Sequence, residues 1–156
     1  MKSLTKRILL LAVIILAAIS ASAENPIRWR TSVKMTSKTE GVITVRAIVS
    51  QGWHVYGLEL PDGGPRPTTI DFSSSTGIKL VGKVTPARKA SAHNDDVFGM
   101  TLYWWDSNVN FTQKFKVTDQ SKAKINGKIS YMSCNDETCM PPATESISLA
   151  VPAYKK

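Results

Sequence analysis

An all-β domain, a sandwich or barrel of about seven to nine short strands, is what this sequence predicts, and three observations predict it. Apolar and polar residues alternate with a period of two over most of the chain beyond residue 23, as half-buried strands require. Glycine and proline break the alternating runs at short intervals, where turns belong. No segment beyond residue 23 keeps apolar residues at helical spacing for three turns, which removes the helical and mixed classes.

The strands follow in order. Trp29, Thr31, Val33 and Met35 alternate with Arg28, Arg30, Ser32 and Lys34. After a turn at Ser37 to Gly41, a second strand carries Ile43, Val45, Ala47 and Val49 on one face. Pro61, Gly63, Gly64, Pro65 and Pro67 make a long, stiff connection. Thr69 to Phe72, Ile78 to Val81, Leu102 to Trp105 and Val109 to Val117 supply further β segments, with Trp104 and Trp105 on opposite faces. Asn126-Gly127 is a strong hairpin dipeptide. The alternation nevertheless runs straight through it, with Ala123, Ile125, Ile129 and Tyr131 on one face and Lys122, Lys124, Asn126, Lys128 and Ser130 on the other. The period outweighs the dipeptide, so Gly127 reads as a bulge or a point of close approach inside a strand. The reversal falls instead at Cys134 to Cys139, and Ile147, Leu149 and Val151 form the returning strand.

The start of the chain is of another kind. Lys2, Lys6 and Arg7 precede an apolar run from Ile8 to Ile19, and Ala21-Ser22-Ala23 offers the small-x-small pattern of a cleavage site. That order is a secretory signal peptide, residues 1–23, cut after Ala23. Twelve apolar residues are too few to cross a hydrocarbon core of roughly 30 Å. The remaining 133 of 156 residues, Glu24 to Lys156, suit one domain with its own core and contain no second apolar stretch of spanning length. Loss of residues 1–23 removes three of the 20 basic residues and none of the 12 acidic ones, lowering the net charge from +8 to +5. That charge reads as wet strand faces, as at Lys122, Lys124 and Lys128. No nucleic-acid module is present, and export to an oxidising compartment points away from one.

The chemistry of the chain rests on its two cysteines, Cys134 and Cys139, which pair in an oxidising compartment. They stand at the ends of a tight loop with four residues between, which matches neither an inter-sheet pin nor the Cys-x-x-Cys of a thioredoxin site. As a staple, so short a loop contributes about 2 kcal/mol, at the low end for disulfides. On residues alone, staple and redox site stand level. The neighbours favour the second. Parity puts Cys134 on the strand face opposite Tyr131, away from the core and within reach of a partner. Pro141-Pro142 stiffen the exit and withhold backbone donors there. Asp136 and Glu137 lie between the cysteines, and their charge disfavours a thiolate, so the site suits a partner that brings the reactive thiolate itself.

Three blocks of sequence carry a resemblance. Gly52-Trp53-His54-Val55-Tyr56-Gly57 with Pro61-Asp62-Gly63-Gly64-Pro65, then His93-Asn94-Asp95-Asp96-Val97-Phe98-Gly99, then Tyr131-Met132-Ser133-Cys134 through Cys139-Met140-Pro141-Pro142 resemble the N-terminal periplasmic domain of the thiol:disulfide interchange protein DsbD. The resemblance covers nearly all of Glu24 to Lys156, and the Cys-x4-Cys-x-Pro-Pro block is its most specific part. It implies an immunoglobulin-like β-sandwich. It also implies a reversible Cys134–Cys139 disulfide that takes electrons from a membrane thiol relay and passes them to exported disulfide proteins, as a protein thiol–disulfide oxidoreductase without metal or cofactor. It sets His54 and Tyr56 where the family has aromatic side chains beside the pair, and Asp95 and Asp96 where acidic residues approach it. The aromatic cap of the family falls on Val97, with Phe98 adjacent. Long members continue into membrane and thioredoxin-like domains, whereas this chain ends at Lys156, so its electron donor is expected to be a separate membrane relay or exported thioredoxin-like protein.

Two other classes remain open on the sequence. One is a non-catalytic exported interaction domain with a stapled hairpin. The other is a soft-metal binder, since Cys134, Cys139, Met140, Met132 and His54 include the ligand types that Cu(I) accepts.

Overall fold

A computed structural model describes residues 25–155; the expected signal peptide and its cleavage site lie outside the described residues. Eleven strands and no helix make up the described chain. Strand β1 (Ile27–Met35) turns through Thr36–Thr39 into β2 (Glu40–Val49); β3 (His54–Tyr56), β4 (Thr69–Asp71), β5 (Ile78–Pro86) and β6 (Ser91–Asp95) follow. Then come β7 (Met100–Trp105), β8 (Val109–Val117), β9 (Lys124–Tyr131), β10 (Ser133–Cys134) and β11 (Ala143–Ala150). Three antiparallel sheets result, in the orders β1-β2-β8-β5, β10-β3-β7-β6 and β11-β9-β4. The count exceeds the expected seven to nine because β3, β6 and β10, of three, five and two residues, are too short to show a period.

Alternation in the sequence becomes alternation in burial. β1, β8 and β9 bury every second side chain over most of their length, and the buried faces of all three sheets meet in one core. An aromatic chain crosses it. Trp29 of β1 meets Tyr131 of β9 edge-on at 5.2 Å and Phe111 of β8 at 6.1 Å, and Phe111 meets Trp105 of β7 edge-on at 5.1 Å. Each sheet therefore contributes to a single apolar layer, the two-layer solution that half-apolar sheets require.

Where the period breaks, a side chain explains it. The register of β5 against β8 shifts between Val81 and Thr85, so only Ile78 to Val81 reads as strand in the sequence. The buried amide of Gln113 fills the irregularity, donating to the carbonyls of Val81 at 2.9 Å and Gly82 at 3.3 Å. At Gly127 the period holds. β9 passes through it unbroken in register with β11, and the reason for glycine is close approach: a Cβ there would lie 2.5 Å from the Asp71 carbonyl and 2.7 Å from the Phe72 ring. Gly127→Ala should therefore destabilise the fold by about 1–3 kcal/mol through overpacking, read as a lower denaturant midpoint. An unchanged midpoint would mean that β4 gives way freely.

Candidate functional site

The second sheet carries the site on the face turned away from the core. Val55 and Trp105 point into the core, so their neighbours Tyr56 and Trp104, which pair across β3 and β7, point the other way. His54 pairs with Cys134 across β3 and β10, and His93 with Leu102 across β6 and β7. Tyr56, Leu102 and Cys134 form a second buried cluster, covered by Leu60, Phe98, Met100, Trp104 and Met132.

Cys134 and Cys139 are disulfide-bonded, with Cα atoms 4.0 Å apart. The loop between them is held by its own polar groups. The Asn135 side-chain oxygen accepts from Glu137 N at 3.0 Å and Thr138 N at 2.7 Å, and Met140 N donates to Ser133 O at 2.9 Å. Pro141 and Pro142 follow, and pairing of β11 with β9 begins only at Ala143, opposite Tyr131. The hairpin end thus lies beyond the β9–β11 ladder, joined instead to β3 through Cys134 and closed by its own Cys134–Cys139 bridge.

The two sulfurs differ in access. Cys134 is 2% exposed, whereas Cys139 is an exposed residue at the tip. The expected outward direction of Cys134 needs correction on this point. Parity does turn it away from the main core, but that face is roofed by the second cluster. The Tyr56 hydroxyl donates to Cys134 Sγ at 3.3 Å. Burial, and secondarily the charge of Asp95, pushes the Tyr56 phenol up to about 12, so it stays a donor at neutral pH.

The β6–β7 turn supplies the roof. The Asp95 carboxylate accepts from Val97 N at 2.9 Å and Phe98 N at 3.0 Å, and Gly99 closes the turn at φ 63°. This geometry sends Phe98 onto the Cys134 cluster and leaves Val97 89% exposed. Of the two expected cap residues, Val97 and Phe98, only Phe98 packs on the cluster, beside Leu60, Met100, Trp104 and Met132. Asp96 is exposed beside it.

One arrangement escaped the sequence reading. Trp104, given no chemical role there, is stacked between two histidines, with His54 at 4.2 Å and 17° on one side and His93 at 4.0 Å and 4° on the other. His54 also meets Tyr56 edge-on at 5.1 Å. The Nε2 atoms of both histidines are buried without a hydrogen-bond partner. The signal was the shared parity of His93 and Asp95 with Leu102 and Trp104, legible only once the β6–β7 hairpin register is known. Among the described residues, no three His, Cys, Asp or Glu side chains gather as a metal-ion cluster.

Burial, then the charge of His93, lowers His54 from 6.5 to about 4, against the opposing pull of Asp95, Asp136 and Asp106. The folded state therefore resists a proton that the unfolded chain accepts. The resulting stability is complete above pH 6.5 and is lost as the pH falls toward 4. Discounted for partial exposure, it amounts to about 1–2 kcal/mol. Melting curves between pH 7 and 4 should show a steeper fall for the parent than for His54→Phe; parallel curves would contradict the assignment.

The family described as "Thiol:disulfide interchange protein DsbD, N-terminal" matches residues 24–151. No curated protein sequence matches the chain. Among solved structures, the N-terminal periplasmic domain of ScsB from Proteus mirabilis is similar at TM-score 0.59 and 18% identity, covering 85% of this chain and 49% of that one, so the chain spans about half its length. The reduced DsbD N-terminal domain of Neisseria meningitidis is similar at TM-score 0.54 and 13% identity, covering 86% and 93%. The complex between the DsbD N-terminal and PilB N-terminal domains of the same organism gives TM-score 0.51 and 12% identity, covering 81% and 87%. At these identities the likeness is one of fold, the immunoglobulin-like sandwich.

Proposed function

The chain belongs to the family of the N-terminal domain of the thiol:disulfide interchange protein DsbD, and from that premise we propose that it passes reducing equivalents between a separate thiol donor and exported disulfide proteins through Cys134 and Cys139. The observation that carries this reading is the asymmetry of the pair, one sulfur sealed beside a phenol and the other at an exposed tip. A family of thiol–disulfide exchange domains and a disulfide in the matching hairpin support exchange as the chemistry.

The steps follow from access. A donor thiolate attacks Cys139 Sγ in line with the Cys134–Cys139 bond. That bond breaks, a donor–Cys139 mixed disulfide forms, and Cys134 leaves as a thiolate that receives the Tyr56 hydrogen bond and then a proton. The donor's second thiolate attacks its own sulfur in the mixed disulfide and releases Cys139, so the donor is oxidised and the domain holds two thiols. In the second half-reaction the Cys139 thiolate attacks a substrate disulfide, and Cys134 then attacks Cys139 Sγ to free the substrate thiol and restore the bond. The donor fits a membrane thiol relay or an exported thioredoxin-like protein, and the place of action is the periplasm, with residues 1–23 removed on export. The exposed carboxylates Asp136 and Glu137 disfavour a free thiolate and make the site depend on docking. The solved complex of a DsbD N-terminal domain with a PilB N-terminal domain supports domain-to-domain docking as the mode.

Equilibration of the purified protein in dithiol redox buffers, with free thiols counted after acid quenching, tests the reading. A potential above about −300 mV is expected for an exchange disulfide. A value well below that would identify a structural staple and a non-catalytic interaction domain.

A further inference from the structure

Sheet β1-β2-β8-β5 has an outer face whose charge is far more one-sided than that of the whole chain. Arg30 and Lys34 of β1, Arg46 of β2, Lys114 and Lys116 of β8 and Lys79 of β5 are all exposed and alternate with the core residues of their strands. Glu40, bound to Lys116 at 3.3 Å, is the one carboxylate these four strands carry. Like charges even stand directly opposite: Arg30 faces Arg46 and Lys79 faces Lys116 across adjacent strands. Such pairs are destabilising in an isolated sheet, and a counter-charge lying over the sheet removes the cost.

We propose that this face is a docking surface for an anionic phospholipid bilayer. Charge complementarity points to an anionic partner, and the make-up of the face points to headgroups rather than to a protein. Protein interfaces are centred on apolar and aromatic anchors and are depleted of charge at their centre. Of the large hydrophobic side chains exposed among the described residues, Val97, Tyr103 and Tyr154 lie off these strands, and only Val81 lies on them. Adsorption to headgroups needs lysines and arginines alone. Attachment through headgroup charge is reversible and salt-dependent. The core lies between this face and the second sheet, whose far side carries the disulfide. An adsorbed molecule therefore turns Cys139 and the carboxylates Asp95, Asp96, Asp136 and Glu137 away from the bilayer, toward other proteins. The proposal stands on the charge pattern and does not depend on the exchange chemistry.

Co-sedimentation of the purified chain with vesicles tests it. Vesicles with about 30% phosphatidylglycerol in phosphatidylcholine should bind at low salt, release the protein at about 500 mM salt, and outbind pure phosphatidylcholine at least tenfold. Arg46→Ser with Lys114→Ser should weaken binding about 25-fold, some fivefold for each cation. Glu40→Gln should tighten it, which guards against loss of binding through misfolding. Equal binding to phosphatidylcholine, no effect of either substitution, or tighter binding to soluble polyglutamate than to the anionic vesicles would overturn the proposal, the last in favour of an acidic protein partner.

Discussion

With Cys134 replaced by alanine, Cys139 alone should trap partner proteins as reducible mixed disulfides at a yield at least about tenfold above that of the Cys139→Ala protein. The expectation follows from access, not from intrinsic reactivity. Both thiols flank the same loop carboxylates, Asp136 and Glu137. What separates them is that Cys139 is exposed at the hairpin end, beyond the β9–β11 ladder that starts at Ala143, whereas Cys134 is 2% exposed beneath Phe98, Met132 and Trp104. In-line displacement needs the approaching sulfur to reach the one attacked, which the roof over Cys134 prevents. Acid quenching of the exporting host followed by non-reducing electrophoresis reads the outcome, and multiple-turnover exchange should be lost in both variants. Equal trapping by the two would mean that the roof opens readily, and access would no longer decide the order of attack. Trapping by neither, with a parent bond inert to reductant, would make the hairpin a staple.

Much of the fold was legible because its long strands each have one wet face. β1, β2, β8, β9 and β11 announce themselves by period, and the same period overrode the Asn126-Gly127 hairpin signal at a point where glycine answers to the Phe72 ring. β3, β6 and β10 were not legible. They are short: β3 and β10 are covered by the main core on one side and the Cys134 cluster on the other, whereas β6 has small or polar residues on both of its faces. Alternation cannot mark a strand with no wet face. The same two-sided burial explains the site. Parity placed Cys134 on the correct face but could not reveal a second apolar layer there, assembled from Leu60, Phe98, Met100 and Met132, which are scattered over some seventy positions. Likewise the opposite directions of Trp104 and Trp105 were readable, whereas the stack of Trp104 between His54 and His93 depends on the joint register of three strands.

Shortening Phe98 to alanine should speed alkylation of Cys134 in the reduced protein, resolved from that of the exposed Cys139 by peptide mass, about tenfold or more with a small maleimide, while Val97→Ala leaves the rate unchanged. Neighbouring residues differ so sharply because Asp95 folds the turn back on itself. Its carboxylate holds the amides of both Val97 and Phe98, and the chain leaves through Gly99 at positive φ, so one side chain faces the cluster and the other the solvent. Phe98 is packed on the group that contains Cys134, and Val97 is 89% exposed. Asp95→Ala removes the anchor of the turn without touching the aromatic ring, so it should give an intermediate rate by letting Phe98 lift. Global unfolding is separable from this effect. Loss of a half-buried ring lowers stability by about 1–3 kcal/mol, and alkylation through global opening would follow melting temperature across all three variants, whereas alkylation through a local cap would not. An unchanged rate in Phe98→Ala would show that the ring packs without shielding, and a faster rate in Val97→Ala than in Phe98→Ala would show that the turn presents its other face once the disulfide is reduced.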